Sequence, residues 1–558
     1  MPLRFPLRLL LLIALASPRA TAQTGSCDTG TAVGVLETAS LRAELYNIGG
    51  LFWRGSGASY VVPKEAGISP VFTASLWVSG RVDGELRMAA GQYGPWEFWP
   101  GPLADADAPP ADCSAHDRIW TVSRADVAAY LQTGEATPDL AEWPHDLGAP
   151  VLDGDGISGN YDLAAGDQPD LLGDMAVWWV MNDAGNEHLT SGFGPLGIEV
   201  RAQAFAFDRT APSDLTTDTF YRYEIVNRRD RPIDSLRVSL WADAELGNFN
   251  DDLVGVDTLR HFTYVYNGDD DDDGGGGYGE TPPAWGIQVL SGFVGLANGR
   301  DDDFDGTVDE ADEEMRMTSA PMPWKGLGAG YGEGFYALQR GLLQNGQPML
   351  DYGSGRSPDP SALGEPTVFA FPAFPGEYWS EENIDGNGTA NAARDSRIML
   401  TIGPGRLEPG ESVTVDFAMP FAQGTDRLDS VRKLIDRAAL LLNAFGDGEF
   451  DSRLVTPEEA GIPPQPLPAG FLPTLSPVRP NPAASGQVAL LTLPEPMYID
   501  AVVLDALGRR LAVVARGTQG AGVTVLAVPD GLPPGLYLLR VSAAQGRPVA
   551  LRFTVAAR

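Results

Sequence analysis

The residues of this chain best spaced to do chemistry are the acids of Asp301-Asp302-Asp303-Phe304-Asp305-Gly306-Thr307-Val308-Asp309-Glu310-Ala311-Asp312. Carboxylates stand at positions one, three, five, nine and twelve of a twelve-residue stretch, with glycine at six and an apolar residue at eight. That is the ligand spacing of a calcium-binding loop. Asp301, Asp303 and Asp305 would be short-side-chain ligands, Gly306 permits the sharp turn, and Thr307 would give its carbonyl. Val308 would anchor the loop to a core, Asp309 would act directly or through water, and Asp312 would close the shell where a bidentate Glu is usual. Crowding favours a cation, because two carboxylates about 4 Å apart at an effective dielectric near 20 repel by roughly 4 kcal/mol. A second, weaker ligand set is Asp153 and Asp155, followed by Asn160 and Asp162, with alternate oxygen donors and glycines but no twelfth-position ligand. The unbroken run Asp269 to Asp273 reads as a solvated acidic turn, and Asp385-Gly386-Asn387-Gly388 as a turn alone.

Other chemistry leaves little trace. The sequence holds no Gly-x-Ser-x-Gly elbow, His-Glu-x-x-His, phosphate-binding loop or Cys-x-x-Cys, and His116, His145, His188 and His261 stand far apart. With 75 acids, paired carboxylates for glycoside hydrolysis are the one catalytic alternative, since sequence spacing does not report their separation. Trp96, Phe98 and Trp99, with Trp77, Trp120, Trp143, Trp178 and Trp179 elsewhere, offer surface for sugar stacking. Tryptophan in a β protein nevertheless belongs more often to the core.

The elements that must position these residues are strands. With 66 Gly, 45 Pro and 43% hydrophobic residues, the composition describes a turn-rich β protein large enough to bury a substantial core. Strand patterns run over Ala43 to Tyr46, Val71 to Val78, Ala176 to Met181, Ile198 to Phe207, Phe220 to Val226 and Leu236 to Ala242. They continue at Phe262 to Tyr266, Ile287 to Leu290 and Ser412 to Pro420. Arg427 to Phe445 is the exception: Leu428, Val431, Leu434, Ile435, Ala438, Leu441, Leu442 and Phe445 recur at helical spacing and predict one amphipathic helix. The acidic loop of 301–312 lacks helical flanks, so it resembles the bare loops of thrombospondin-type or dockerin-type repeats. Pro457 to Pro477, with seven prolines, reads as a stiff linker.

After the linker come Pro480-Asn481-Pro482, then Val502-Val503-Leu504-Asp505-Ala506-Leu507-Gly508-Arg509, Gly535-Leu536-Tyr537-Leu538-Leu539-Arg540-Val541 and Leu551-Arg552-Phe553-Thr554-Val555. In this order the motifs resemble the type A C-terminal sorting domain of proteins exported by the type IX secretion system. Members often carry a Lys-rich last strand, and here only Arg547 and Arg552 stand there. Segments of the body, among them Asn47 to Trp53, Phe98 to Leu103, Gly173 to Asp183 and Tyr264 to Asp269, are similar to large uncharacterised surface proteins with that domain. The resemblance implies a cell-surface protein and no particular activity.

The opposite end agrees with export. Arg4 and Arg8, the apolar run Leu9 to Ala16 and Ala20-Thr21-Ala22 predict a signal peptide cleaved after Ala22; the run is too short to span a bilayer. Its loss takes the formal charge from −36 to −39, because three arginines leave with it. Such acidity argues against nucleic acid and anionic lipid as partners. Cys27 and Cys113, an even pair in an exported chain, predict a disulfide closing about 86 residues and contributing about 4 kcal/mol; separate thiols are the alternative.

The expected organisation is therefore a signal peptide (1–22), a β-sandwich-rich body with acidic calcium-type loops (23–456), a Pro-rich linker (457–478) and a small immunoglobulin-like sandwich (479–558). The function this implies is an extracellular or outer-surface, calcium-stabilised, non-enzymatic protein with an adhesive or structural role. It would reach the surface through the periplasm, using the secretory translocase and then the type IX machinery. Glycans or surface polymers are the expected ligands, and a secreted polysaccharide-acting hydrolase is the alternative.

Overall fold

The computed structural model describes residues 25–55, 57, 59–106, 112–208, 213–274, 276–294, 314–323, 332–355, 364–450, 454–456, 459–461, 474–476, 488–493, 496–505, 509–520, 522–529, 532–543 and 549–555. The signal peptide, Pro480-Asn481-Pro482 and the whole loop from Asp301 to Asp312, with its ligands Asp301, Asp303, Asp305, Thr307, Asp309 and Asp312, lie outside the described residues. Strand makes up 42% and helix 11%, so the protein is mainly β. It divides into two compact units, one running to Val127 and resuming over Glu135–Leu454, the other comprising Ala128–Gly134 and Val455–Arg558.

The larger unit is a sandwich. One antiparallel sheet is ordered Gly34–Glu37, Arg42–Leu45, Gly50–Leu51, Val71–Val82, Ile233–Ala244, Ser396–Leu407 and Met317–Ser319. The facing sheet runs Asp252–Asp257, Phe262–Asn267, Ala284–Ser291, Ser412–Met419, Thr219–Asn227, Ile198–Ala206, Met175–Asn182 and Trp99–Pro100. Period-two alternation makes each strand two-faced. Along Thr219–Asn227, Tyr221, Tyr223 and Ile225 enter the core between the sheets, meeting Leu76, Val238, Leu240 and Leu400 from the other side. Arg222 and Glu224, the residues between, are half-buried on the outer face.

Helices cover part of the outer faces. We number those described α1 (Arg124–Thr133), α2 (Pro138–Ala141), α3 (Gly332–Gln339) and α4 (Arg427–Gly446). The predicted amphipathic helix is α4, which buries Val431, Leu434 and Ala438 on Phe262, Tyr264 and Tyr266. In α3, Phe335 and Leu338 pack on Trp77, Trp241 and Met399 of the opposite sheet's outer face. The Gly-Glu-Gly opening of that short helix hides it from sequence reading, because glycine is a poor helix former.

The smaller unit is a second sandwich. Val488–Leu493 lies between Thr474–Leu475 and Gly522–Ala527, and the facing sheet is ordered Arg510–Gln519, Met497–Asp505, Gly535–Ala543 and Val549–Val555. Leu491, Ile499, Val503, Leu526, Leu539 and Phe553 fill its core. Thr474–Leu475, inside the stretch read as linker, pairs with Leu491 and Thr492.

Candidate metal centre and adjoining cavity

Within the larger unit, the second and weaker ligand set of the sequence is folded into a hairpin. Val151–Leu152 pairs with Gln168–Pro169, so the two ends of the acidic loop meet. Gly154 is required by the closeness of that meeting, since a Cβ there would lie 1.9 Å from the Gly166 carbonyl oxygen. The closure brings one carboxylate oxygen from each of Asp153, Asp155 and Asp167 within 4.8 Å of one another. Hard oxygen donors in a turn of this kind suit a divalent cation such as calcium.

The loop's own hydrogen bonds orient these acids. Asp153 accepts from the Gly156 N–H, and Asp155 accepts from the Ile157 N–H at 2.7 Å and from the Asn160 amide at 3.2 Å. The Asn160 Oδ1 is buried without a hydrogen-bond partner among the described residues. Asp167, only 1% exposed, accepts from the N–H groups of Gly154 at 2.9 Å and Asp162 at 2.7 Å. Burial alone would raise its carboxyl, but the N–H donors of Asp162, Gly154 and Asp155 and the nearby His145 hold it below the usual carboxylate range. The fourth expected ligand, Asp162, turns its carboxylate to its own turn, accepting from Ala164 and Ala165 at 3.1 Å.

Asp167 is the third carboxylate of this group, and sequence reasoning missed it. It lies fourteen residues beyond Asp153, where a twelve-residue template has no position, and only the hairpin closure brings it back. The Gly166-Asp167 pair, repeating Gly154-Asp155, was the available signal.

The base of the same hairpin walls a cavity of about 200 Å³ on the outer face of the second sheet. Strand register builds its floor in two rows: Trp178, Gln203 and Arg222 lie side by side, as do Arg201, Glu224 and Thr414. Gly148, Pro150, Asp170 and Leu172 line it from the hairpin side. Arg222 pairs with the buried Asp416 at 2.7 Å and 3.1 Å, while Arg201 donates to Glu199 at 2.9 Å and Glu224 at 3.2 Å. Most of the tryptophans are packing residues: ten of the twelve, Trp77, Trp178, Trp179, Trp241 and Trp285 among them, are buried.

Asp272 bridges two loops through the N–H groups of Asn248 at 2.9 Å and Tyr278 at 2.6 Å, and burial pushes its carboxyl up to about 6. Asp385 accepts from Asn387 and from the Thr389 hydroxyl, as a turn residue does. The buried His188 ring lies 2.6 Å from the carbonyls of both Met88 and Asp183, and burial pushes His261 down to about 4. The predicted Cys27–Cys113 disulfide is formed, buried beside Trp99.

No protein-family model matches the chain, and no curated protein matches it. Among solved structures it is similar to a polysaccharide lyase at 10% identity and a TM-score of 0.19, over 64% of this chain and 34% of that one. The chain thus spans about a third of that protein's length, and a likeness of this degree carries no argument about activity.

Proposed function

We propose that this is a secreted or cell-surface, calcium-stabilised, non-enzymatic β protein with an adhesive or structural role. Export would follow the general secretory pathway across the inner membrane and the type IX system across the outer one. The observation that carries the calcium reading is the convergence of Asp153, Asp155 and Asp167 within 4.8 Å in a closed hairpin. Support for export comes from the sorting-domain resemblance of Pro480 to Val555, and a buried disulfide suits an oxidising compartment.

Thermal unfolding tests it. A cation that binds only the folded state stabilises by RT ln(1 + [L]/Kd), about 2.7 kcal/mol at a hundredfold excess over Kd. Millimolar calcium should raise Tm above the values in magnesium or sodium chloride, and chelator should lower it. Asp155→Asn with Asp167→Asn should remove the hairpin's share of that response, and Asp303→Ala with Asp305→Ala the share of the other loop. Equal protection by magnesium or sodium chloride would reduce the effect to charge screening.

The alternative, a polysaccharide-acting hydrolase, is favoured by one observation: Asp170 and Glu224 line the cavity beside Trp178. Release of reducing ends from a polysaccharide panel, lost in Glu224→Gln, would establish it.

A further inference from the structure

We propose that the cavity over Arg201, Arg222 and Glu224 binds one neutral sugar ring. The inference rests on the reading of the protein as one that engages glycans at the cell surface, and it names the site. Size is the first argument. At about 200 Å³ the cavity is below the roughly 300–1,000 Å³ of clefts that take drug-sized ligands, so it suits a single ring of a glycan and not a buried oligomer.

Charge is the second. Both guanidinium groups on the floor are already paired, Arg222 through two hydrogen bonds to Asp416 and Arg201 to Glu199 and Glu224. Asp416 is only 3% exposed and Glu199 1%. An incoming anion that captured Arg222 would leave Asp416 buried and unpaired, at a cost of several kcal/mol. A hydroxyl-bearing neutral ligand avoids that conflict. It donates to the spare lone pairs of carboxylates such as Glu224 and accepts from guanidinium N–H groups while the pairs stay formed.

Pre-organisation is the third. Gly148, at φ 93°, lets its backbone rest on Arg201, where a Cβ would lie 2.6 Å from the guanidinium carbon. Gln203 fastens the hairpin side to the floor, accepting from the Leu172 N–H at 2.9 Å and donating to the Asp170 carbonyl at 3.2 Å. Polar groups held in place before binding lose little entropy on binding.

The test is saturation-transfer NMR on the full mature protein, with methyl glycosides of glucose, galactose, mannose, xylose, arabinose and N-acetylglucosamine. At least one should bind saturably. Thr414→Phe, which fills the cavity from the floor, should weaken that binding by roughly tenfold or more, about 1.4 kcal/mol, with Tm unchanged. If Thr414→Phe lowers Tm, Glu224→Gln replaces it as the deciding variant, with the same loss expected. Absence of binding by every glycoside, or binding that survives the deciding variant, overturns the proposal. Measurements run in calcium and in chelator, and binding in either supports the cavity. A failure of the calcium reading therefore shows separately, in Tm alone.

Discussion

Asp272 shows how one carboxylate links pH to the stability of this fold. It is 1% exposed, clamps the turn at Asn248 to Tyr278, and burial raises its carboxyl to about 6. A folded-state value above the unfolded one means that folding takes up a proton. The stability from this group is therefore complete below about 3.9 and lost as pH rises through about 6. Asp272→Asn mimics the protonated acid. Its Tm relative to wild type should rise between pH 4 and pH 8 in chelator, with most of the change near pH 6. A flat difference across that range would contradict the assignment. Asp167 has the opposite sign: its carboxyl is held low, so the stability it contributes is present above the unfolded value and lost as acid titrates the folded one. Asp167→Asn should accordingly cost stability at neutral pH and progressively less in acid.

Among the elements, α4 is the most exposed to single changes. Asp426 caps its first turn by accepting from the Asp429 N–H at 2.8 Å, and Leu434 sits fully buried against the tyrosine-rich strand beneath. Arg437 reaches Asp218, which directly precedes Thr219–Asn227 and is 0% exposed, at 2.6 Å. Burial raises the Asp218 carboxyl and Arg437 opposes that rise, so the guanidinium is what makes the buried charge tolerable. Two distinct losses are expected in urea denaturation. Leu434→Ala should cost about 2–5 kcal/mol through the cavity it leaves. Arg437→Met should cost about 3–5 kcal/mol by orphaning Asp218, even though methionine preserves most of the packing. If Arg437→Met were neutral, the pair would be ornamental and α4 would be held by its apolar face alone.

For the whole molecule, the Cys27–Cys113 bond ties the start of the described chain to the segment beside Trp99 across a separation of 86 residues. Mature protein denatured without reductant should titrate no thiol. Cys27→Ser with Cys113→Ser should lose about 4 kcal/mol, the stabilisation that loop closure of this length supplies. The sorting-domain reading is tested on the same scale. A chain ending at about Pro477 should keep the larger unit's unfolding transition, because that unit has its own core, yet accumulate in the periplasm. Surface delivery as efficient as that of the full chain would remove the export reading.

The sequence by itself determined what depends on neighbours along the chain. Period-two alternation over Ala176 to Met181 and Phe220 to Val226 placed strands at Met175–Asn182 and Thr219–Asn227, and three- and four-residue spacing placed α4. It also supplied Asp153 and Asp155 as oxygen donors, since alternating acids and glycines carry their meaning locally. Tertiary structure alone decided what depends on strand pairing. Asp167 joined the acidic group because Gln168–Pro169 pairs with Val151–Leu152. Arg222 met Asp416, 194 residues away, because Thr219–Asn227 lies beside Ser412–Met419. The cavity floor likewise exists only once three strands set Trp178, Gln203, Arg222 and Glu224 in register. The physical reason is that side-chain periodicity is written in each strand, whereas the partner of a strand is chosen by burial summed over the whole core, which no local pattern records.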